Sequence, residues 1–248
     1  MLVNVLVGLL ASASALAAPL SNNVKRDATS NLISELKAAD SAVQRNQILA
    51  QNGGNSSFLF SFSNPPSAAV VSSSAGKLVQ ANGATFPALT DIDAAMAVVT
   101  IEPCGLILPH LHPRGDEFLI ATEGEIFTQF ITETGAVLIS NTLETLDATI
   151  FPKGSIHLEF NPTCKPATFV AAFNNNDPGV SFVAANLFSL EDQLVIAALG
   201  GDAVVSGADL ASIEKALPQG LATGVQECVS KCGIKLYSKR SLAEVFGQ

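Results

Sequence analysis

From Phe58 to Asn186 the sequence runs as a series of short β-type stretches cut by turn residues, and this texture limits the fold more than any other feature of the 248-residue chain. AMAVVTI, GLILPHLH, EFLIATEG, EIFTQFITE, AVLIS, ATIF, SIHLEF, ATFVAAF and SFVAAN follow one another. Between them stand Pro113-Arg114-Gly115-Asp116, Glu133-Thr134-Gly135, Pro152-Lys153-Gly154 and the run from Asn174 to Gly179. Many short strands in series with tight turns predict an all-β core, an antiparallel sandwich or barrel. Helical spacing flanks it on both sides. Leu32, Leu36, Ala39 and Val43 place one helix over about 29–51, ended by Asn52-Gly53-Gly54. After Leu187 the segments SLEDQLVIAAL, ADLASIEKAL and VQECVSKC return to helix. The expected organisation is a single domain, 27–248, with a barrel over about 57–187 and C-terminal helices over about 188–248.

The first residues read as a targeting segment. LVNVLVGLLASASALAAPL is apolar and ends in small residues, and Ala15-Leu16-Ala17 fits a signal-peptidase site, giving a signal peptide over 1–17. A membrane anchor is the alternative reading of the same run. Lys25-Arg26 reads as a dibasic processing site closing a propeptide over 18–26, or else as a solvated pair of charges. Cleavage there leaves 11 basic against 22 acidic residues, because Lys25 and Arg26 are lost from 13 and no acid precedes Asp27. Such an acidic chain is a poor partner for nucleic acid or an anionic membrane. Secretion makes disulfides of Cys104, Cys164, Cys228 and Cys232, for which three pairings exist. Cys104 and Cys164 flank strands expected to be neighbours, and Cys228 and Cys232 share a helix face, so the expected pairs are 104–164 and 228–232. Asn55-Ser56-Ser57 is an N-glycosylation sequon, whereas Pro162 blocks Asn161.

The chain has 3 histidines. His110 and His112 are two apart on a β-type run, so they project to one face, together with Leu106 and Leu108. The turn at 113–116 reverses the chain, and Glu117 opens the next run opposite them. His157 heads a later run just after Pro152-Lys153-Gly154. All four can therefore converge inside one barrel. Three imidazoles and a carboxylate suit manganese, iron, cobalt, nickel or zinc, and four ligands on an octahedral ion leave two positions open. The competing reading, exposed hairpin histidines, does not explain the shared face. Glu159, two residues beyond His157, falls on the inner face by period two, as an acid beside the ligands or as a solvated strand end. Arg114 and Asp116 read as a pair on the rim. Phe118, Phe127, Phe130, Phe151, Phe160, Phe169 and Phe173 read as core.

Gly105, His110, His112, Glu117 and Gly124 resemble the first cupin box, and Pro152, Gly154, His157 and Asn161 the second. PCGLILPHLHPRGDE, FPKGSIHLEFNPTC and AAFNNNDPG further resemble secreted fungal germin-like cupins of the spherulin type. The resemblance implies an antiparallel jelly-roll barrel, helical arms, homo-oligomers and a manganese ion (Mn2+) held by His110, His112, Glu117 and His157. Two departures stand out. Leu146 replaces the glycine that normally opens the second box, and AAMAVVTI lacks the asparagine that oxalate-oxidising germins carry on the strand before the first box. The functional expectation is a secreted, extracellular metal-binding germin-like protein, cell-wall associated in one version, with a small-molecule ligand at the metal. It would be an oxidoreductase acting on superoxide or a small carboxylate such as oxalate. The alternatives are a non-catalytic metal-binding wall or stress protein of the spherulin type, and a sugar-binding or isomerising cupin.

Overall fold

The computed structural model describes residues 28–201, 207–218 and 220–234. The expected signal peptide and the Lys25-Arg26 site lie outside the described residues. Two helices stand where one was expected, α1 (Ala28–Ala38) and α2 (Ala42–Gly53). Ser41 breaks them: its backbone is extended and its Oγ accepts from the Gln44 N–H at 3.2 Å. Gln44 Oε1 accepts in turn from the Asp40 N–H at 2.9 Å. This reciprocal cap satisfies N–H groups that a helix start leaves free. Asn55 is exposed in the short 3-10 turn that follows α2.

The strands are β1 (Val70–Ser73), β2 (Gly76–Ala81), β3 (Ala95–Ile101), β4 (Gly105–Leu111), β5 (Glu117–Glu123), β6 (Ile126–Ile131), β7 (Ile139–Leu143), β8 (Ala148–Phe151), β9 (Ile156–Phe160), β10 (Ala167–Phe173) and β11 (Ser181–Phe182). A last short strand, β12 (Leu221–Thr223), lies among the C-terminal helices α3 (Val183–Phe188), α4 (Asp192–Ala198), α5 (Gly207–Ala216) and α6 (Gln226–Lys231). One sheet has the order β1-β2-β3-β10-β5-β8, the other β11-β4-β9-β6-β7 with β12 also on β4. Every pairing is antiparallel. The two sheets face each other as a jelly roll. The alternation predicted for β3 and β10 is kept along their whole length, with Ala97, Val99, Phe169 and Ala171 turned inward. They meet Leu119, Ala121, Ile126 and Phe151 to form the core. Of the seven phenylalanines expected in the core, Phe151, Phe169 and Phe173 are in it and Phe130 packs against it. Phe160 packs on the disulfide cluster, Phe127 is half-buried on the outer face of β6, and Phe118, on the outer face of β5, is 58% exposed.

β4 departs from simple alternation, and the departure builds the site. Against β9, Ile107 lies opposite Glu159 and His110 opposite His157, so three steps on β4 match two on β9. The extra residue is a β-bulge at Leu108-Pro109. Proline has no N–H to give to a ladder, which makes it a natural bulge residue. The bulge shifts the parity. Ile107 and His110 face inward, while Leu106 and Leu108 are half-buried on the other face. The expectation that these leucines share the histidine face is therefore corrected.

The cysteine pairing is corrected as well. Cys104 bonds to Cys228 and Cys164 to Cys232, with Cα–Cα separations of 5.6 and 5.3 Å. Cys104 and Cys164 do sit at the same end of neighbouring strands, and Cys228 and Cys232 do share a helix face. But side chains on one helix face point in parallel, toward a third body rather than each other. That body is the barrel end, so α6 docks by two separate bridges, with Val229 packed against the same cluster.

Candidate metal centre

His110 comes from the inner face of β4, His112 from the residue just past its end, Glu117 from the first position of β5 and His157 from β9. The turn joining β4 to β5 is held from three sides. Arg114 pairs with Asp177 at 2.8 Å. Asp116 accepts from the Lys153 N–H at 2.8 Å and from Asn174 Nδ2 at 2.6 Å. The Gly154 N–H donates to the His112 carbonyl at 3.0 Å. Arg114 and Asp116 are thus rim residues as expected, but each binds the 174–177 loop or the 152–154 turn and not the other. Gly179 has φ of 69°, a left-handed backbone that glycine adopts without strain, and an added Cβ there would press on the Arg114 guanidinium and on Pro113.

All four side chains are buried, and each offers a ligand atom, all within 4.8 Å of one another. The proton positions follow from the backbone. His110 Nδ1 is 2.9 Å from the Leu108 carbonyl, His157 Nδ1 is 2.9 Å from the Ser155 carbonyl, and His112 Nδ1 meets the Gly179 carbonyl. A carbonyl only accepts, so each Nδ1 carries a hydrogen, and in the neutral ring it is Nε2 that carries the lone pair. His112 Nε2 and His157 Nε2 then lie 3.0 and 3.3 Å from Glu117 Oε2. Lone pairs facing a carboxylate in a dry site repel, so a proton or a metal cation must lie between these atoms. The donor set therefore fits a transition metal on this structure's own geometry. Rings hold the imidazoles in place: His157 stacks on Phe151 with centroids 4.4 Å apart, and His112 meets Phe173 edge-on at 4.8 Å.

The electrostatics agree. Burial, and then the neighbouring His157, lower the His110 pKa to about 3, so the ring stays neutral. Burial opposes charge on Glu117, but the imidazoles of His112 and His157 against it hold its carboxyl well below the ordinary value. Glu159 goes the other way: burial, then the Glu117 charge, push it well above the usual carboxylate range. Glu159 does face inward, is 0% exposed, and neither carboxyl oxygen has a hydrogen-bond partner among the described residues. Its Oε1 lies 3.9 Å from His157 Nε2.

Beside the centre opens a cavity of about 250 Å3, reached by His110, His112, Glu117 and Glu159. Its remaining walls include Val99, Ile107, Phe169, Phe182 and Leu221. Ile107 was hidden from the sequence by the bulge, although Pro109 inside a strand was the available signal. Leu221 carried no signal, because β12 reaches the cavity by pairing with Ile107 across more than a hundred residues. Cys104, Cys228 and Cys232 also cluster, but their sulfurs are spent in disulfides. Among the described residues no helix is long and apolar enough to cross a membrane.

Residues 60–202 match the cupin family. The chain is 39% identical to spherulin-1A of Physarum polycephalum over 206 residues, 83% of this chain and 80% of that protein. It is 37% identical to a germin-like protein, subfamily 2 member 3, of Arabidopsis thaliana over 55% of this chain and 64% of that one. Among solved structures, an oxalate oxidase in complex with the substrate analogue glycolate superposes with a TM-score of 0.59 at 22% identity, over 66% of this chain and 83% of that one. That likeness is one of fold. The matched jelly roll, the two boxes and the relatives together place the chain in the cupin family, among the spherulins and germin-like proteins.

Proposed function

We propose that this chain is a secreted manganese-binding cupin that acts as an oxidoreductase on a small carboxylate. The observation that carries the reading is the convergence of His110, His112, Glu117 and His157, with ligand atoms within 4.8 Å of one another, beside an apolar cavity. His110, His112, Glu117 and His157 would hold the ion, which supplies Lewis acidity and redox capacity when bound. The chain's own residues do the rest. The carbonyls of Leu108, Ser155 and Gly179 fix the ring orientations and leave Nε2 as the atom free to bind a cation. The apolar walls exclude water from the reacting end. Glu159 is the one acid beside the ligands with unused hydrogen-bonding capacity. Ala95, Ala97 and Val99 fill the inner face of β3, so no asparagine meets the substrate there and oxalate is not favoured.

The same apolar lining supports a second reading, a metal-binding protein without turnover. It speaks against a sugar ligand, whose hydroxyls would find few partners. The two disulfides and the exposed Asn55 sequon support an extracellular setting.

Elemental analysis of protein made by secretion tests the reading, since intracellular expression can load the wrong divalent ion. One manganese per chain is expected, lost in His157→Ala at unchanged fold, with oxygen uptake on adding carboxylates. Bound manganese with no turnover of any carboxylate or of superoxide would select the non-catalytic reading. Full metal content in His157→Ala would remove the centre altogether.

A further inference from the structure

The cavity next to the centre is more specific than a generic apolar hole, and its polar atoms are unevenly placed. The metal-ligating end carries Glu159, a fully buried side chain with both oxygens unpartnered, aimed into the cavity 3.9 Å from His157 Nε2. A buried carboxyl without partners costs free energy, and native proteins keep such groups where a ligand completes them. Away from that end the walls are aliphatic and aromatic. Gln80 is the remaining polar side chain on the lining, and its Oε1 already accepts from Asn82 Nδ2 at 3.3 Å. Among the described residues no lysine or arginine lines the cavity.

These facts sort carboxylate ligands. The head of a 2-hydroxy acid would sit at the ligand end, where its hydroxyl can donate to Glu159 or accept from it whichever protonation state that carboxyl holds. A second carboxylate deeper in would meet no cation and no row of N–H donors, and burying it unpaired is costly. A hydrocarbon body would instead gain from the walls, at roughly 0.8 kcal/mol per buried methylene. The volume, about 250 Å3, approaches the roughly 300 Å3 at which small-molecule sites begin, and it exceeds what a two-carbon acid fills.

We propose that the cavity binds a 2-hydroxy monocarboxylic acid with a branched aliphatic body. Its head sits at the centre and is hydrogen-bonded by Glu159, and its body packs on Ile107, Phe169, Phe182 and Leu221. The proposal rests on the metal reading above and narrows it from small carboxylates to amphipathic ones. Glu159 is then a specificity-determining residue.

The test is calorimetric titration of manganese-loaded protein with 2-hydroxy-4-methylpentanoate, lactate and oxalate, with the manganese paramagnetic resonance spectrum followed in parallel. The branched acid should bind at least tenfold more tightly than either of the others and perturb the spectrum. Glu159→Leu should weaken it about tenfold at unchanged manganese content, and Glu159→Gln, which keeps a hydrogen-bonding head, should recover part of the loss. Oxalate binding as tightly as the branched acid, or Glu159→Leu binding as well as wild type, overturns the proposal while the loaded metal leaves the broader reading standing. A chain that takes up no manganese overturns both.

Discussion

Glu159 is the residue at which folding and function conflict most openly. A carboxyl held in a dry core without a hydrogen-bond partner costs about 1–3 kcal/mol, and no hydrogen bond among the described residues repays it. Glu159→Met should therefore raise the melting temperature of metal-free protein by several degrees, given about 2–4 °C per kcal/mol for a chain of this size. The gain should depend on pH with a definite sign. The folded-state pKa of Glu159 is raised above the ordinary 4.5. Below pH 4.5 the side chain is protonated folded and unfolded, and Glu159→Gln should melt near wild type. As pH rises past 4.5 the unfolded wild-type chain gains by ionising, so the stability supplied by the neutral buried acid is lost and the variant should draw ahead. In the Gln variant the remaining buried groups act in the other direction. His110 is held at about 3 against an ordinary 6.5, so acidification below 6.5 protonates the unfolded chain first and lowers stability down to about 3. Melting curves of both proteins from pH 3 to 8 check the two signs together.

Among the elements, the turn between β7 and β8 carries the sharpest local misfit. Leu146 sits there with φ of 77°, 74% exposed, its N–H donating to the Ala121 carbonyl at 2.8 Å. A left-handed backbone costs an L-residue roughly 1–2 kcal/mol, and the Leu146 side chain buries nothing in return. Leu146→Gly should stabilise the fold by about 1 kcal/mol without altering metal content, as read by denaturant unfolding. The sequence marked this position because a glycine was expected there. What was legible in the sequence was whatever depends on neighbours along the chain. Period-two alternation marked β3, β5 and β10, and the spacing of His110, Glu117 and His157 marked the site. Features that depend on cancelling effects were lost. Pro109 could have been read as a strand end or a bulge, and only the pairing with β9 decides which. Ser41 to Gln44 has the spacing of a helix cap, yet the leucine period ran through it and suggested one helix.

For the molecule as a whole, the least legible relationship was where α6 docks, since nothing local fixes which loops its cysteines reach. The Cys104–Cys228 bridge closes a sequence separation of 124 residues, and a cross-link of that span restricts the unfolded chain by roughly 4–5 kcal/mol on the chain-entropy account. The double variant Cys104→Ala/Cys228→Ala should lose a large part of that amount in equilibrium unfolding. Metal affinity should fall less, because His110, Glu117 and His157 lie on strands paired without α6, and His112 directly follows one of them. An analogous variant at Cys164 and Cys232 spans 68 residues and should cost only slightly less, since loop entropy grows slowly with length.

β12 lies along the same edge of β4 that β11 covers further on. During synthesis the ligand-bearing strands emerge, and can pair, well before residues 221–223 leave the ribosome. Until then β4 presents bare N–H and carbonyl groups beside an open greasy cleft, the kind of rim that recruits a stray strand from another molecule. The final stretch of the chain is thus a built-in shutter: the ion's seat can be ready early, but the chamber beside it acquires its last wall, and the sheet its safe border, only when the tail arrives.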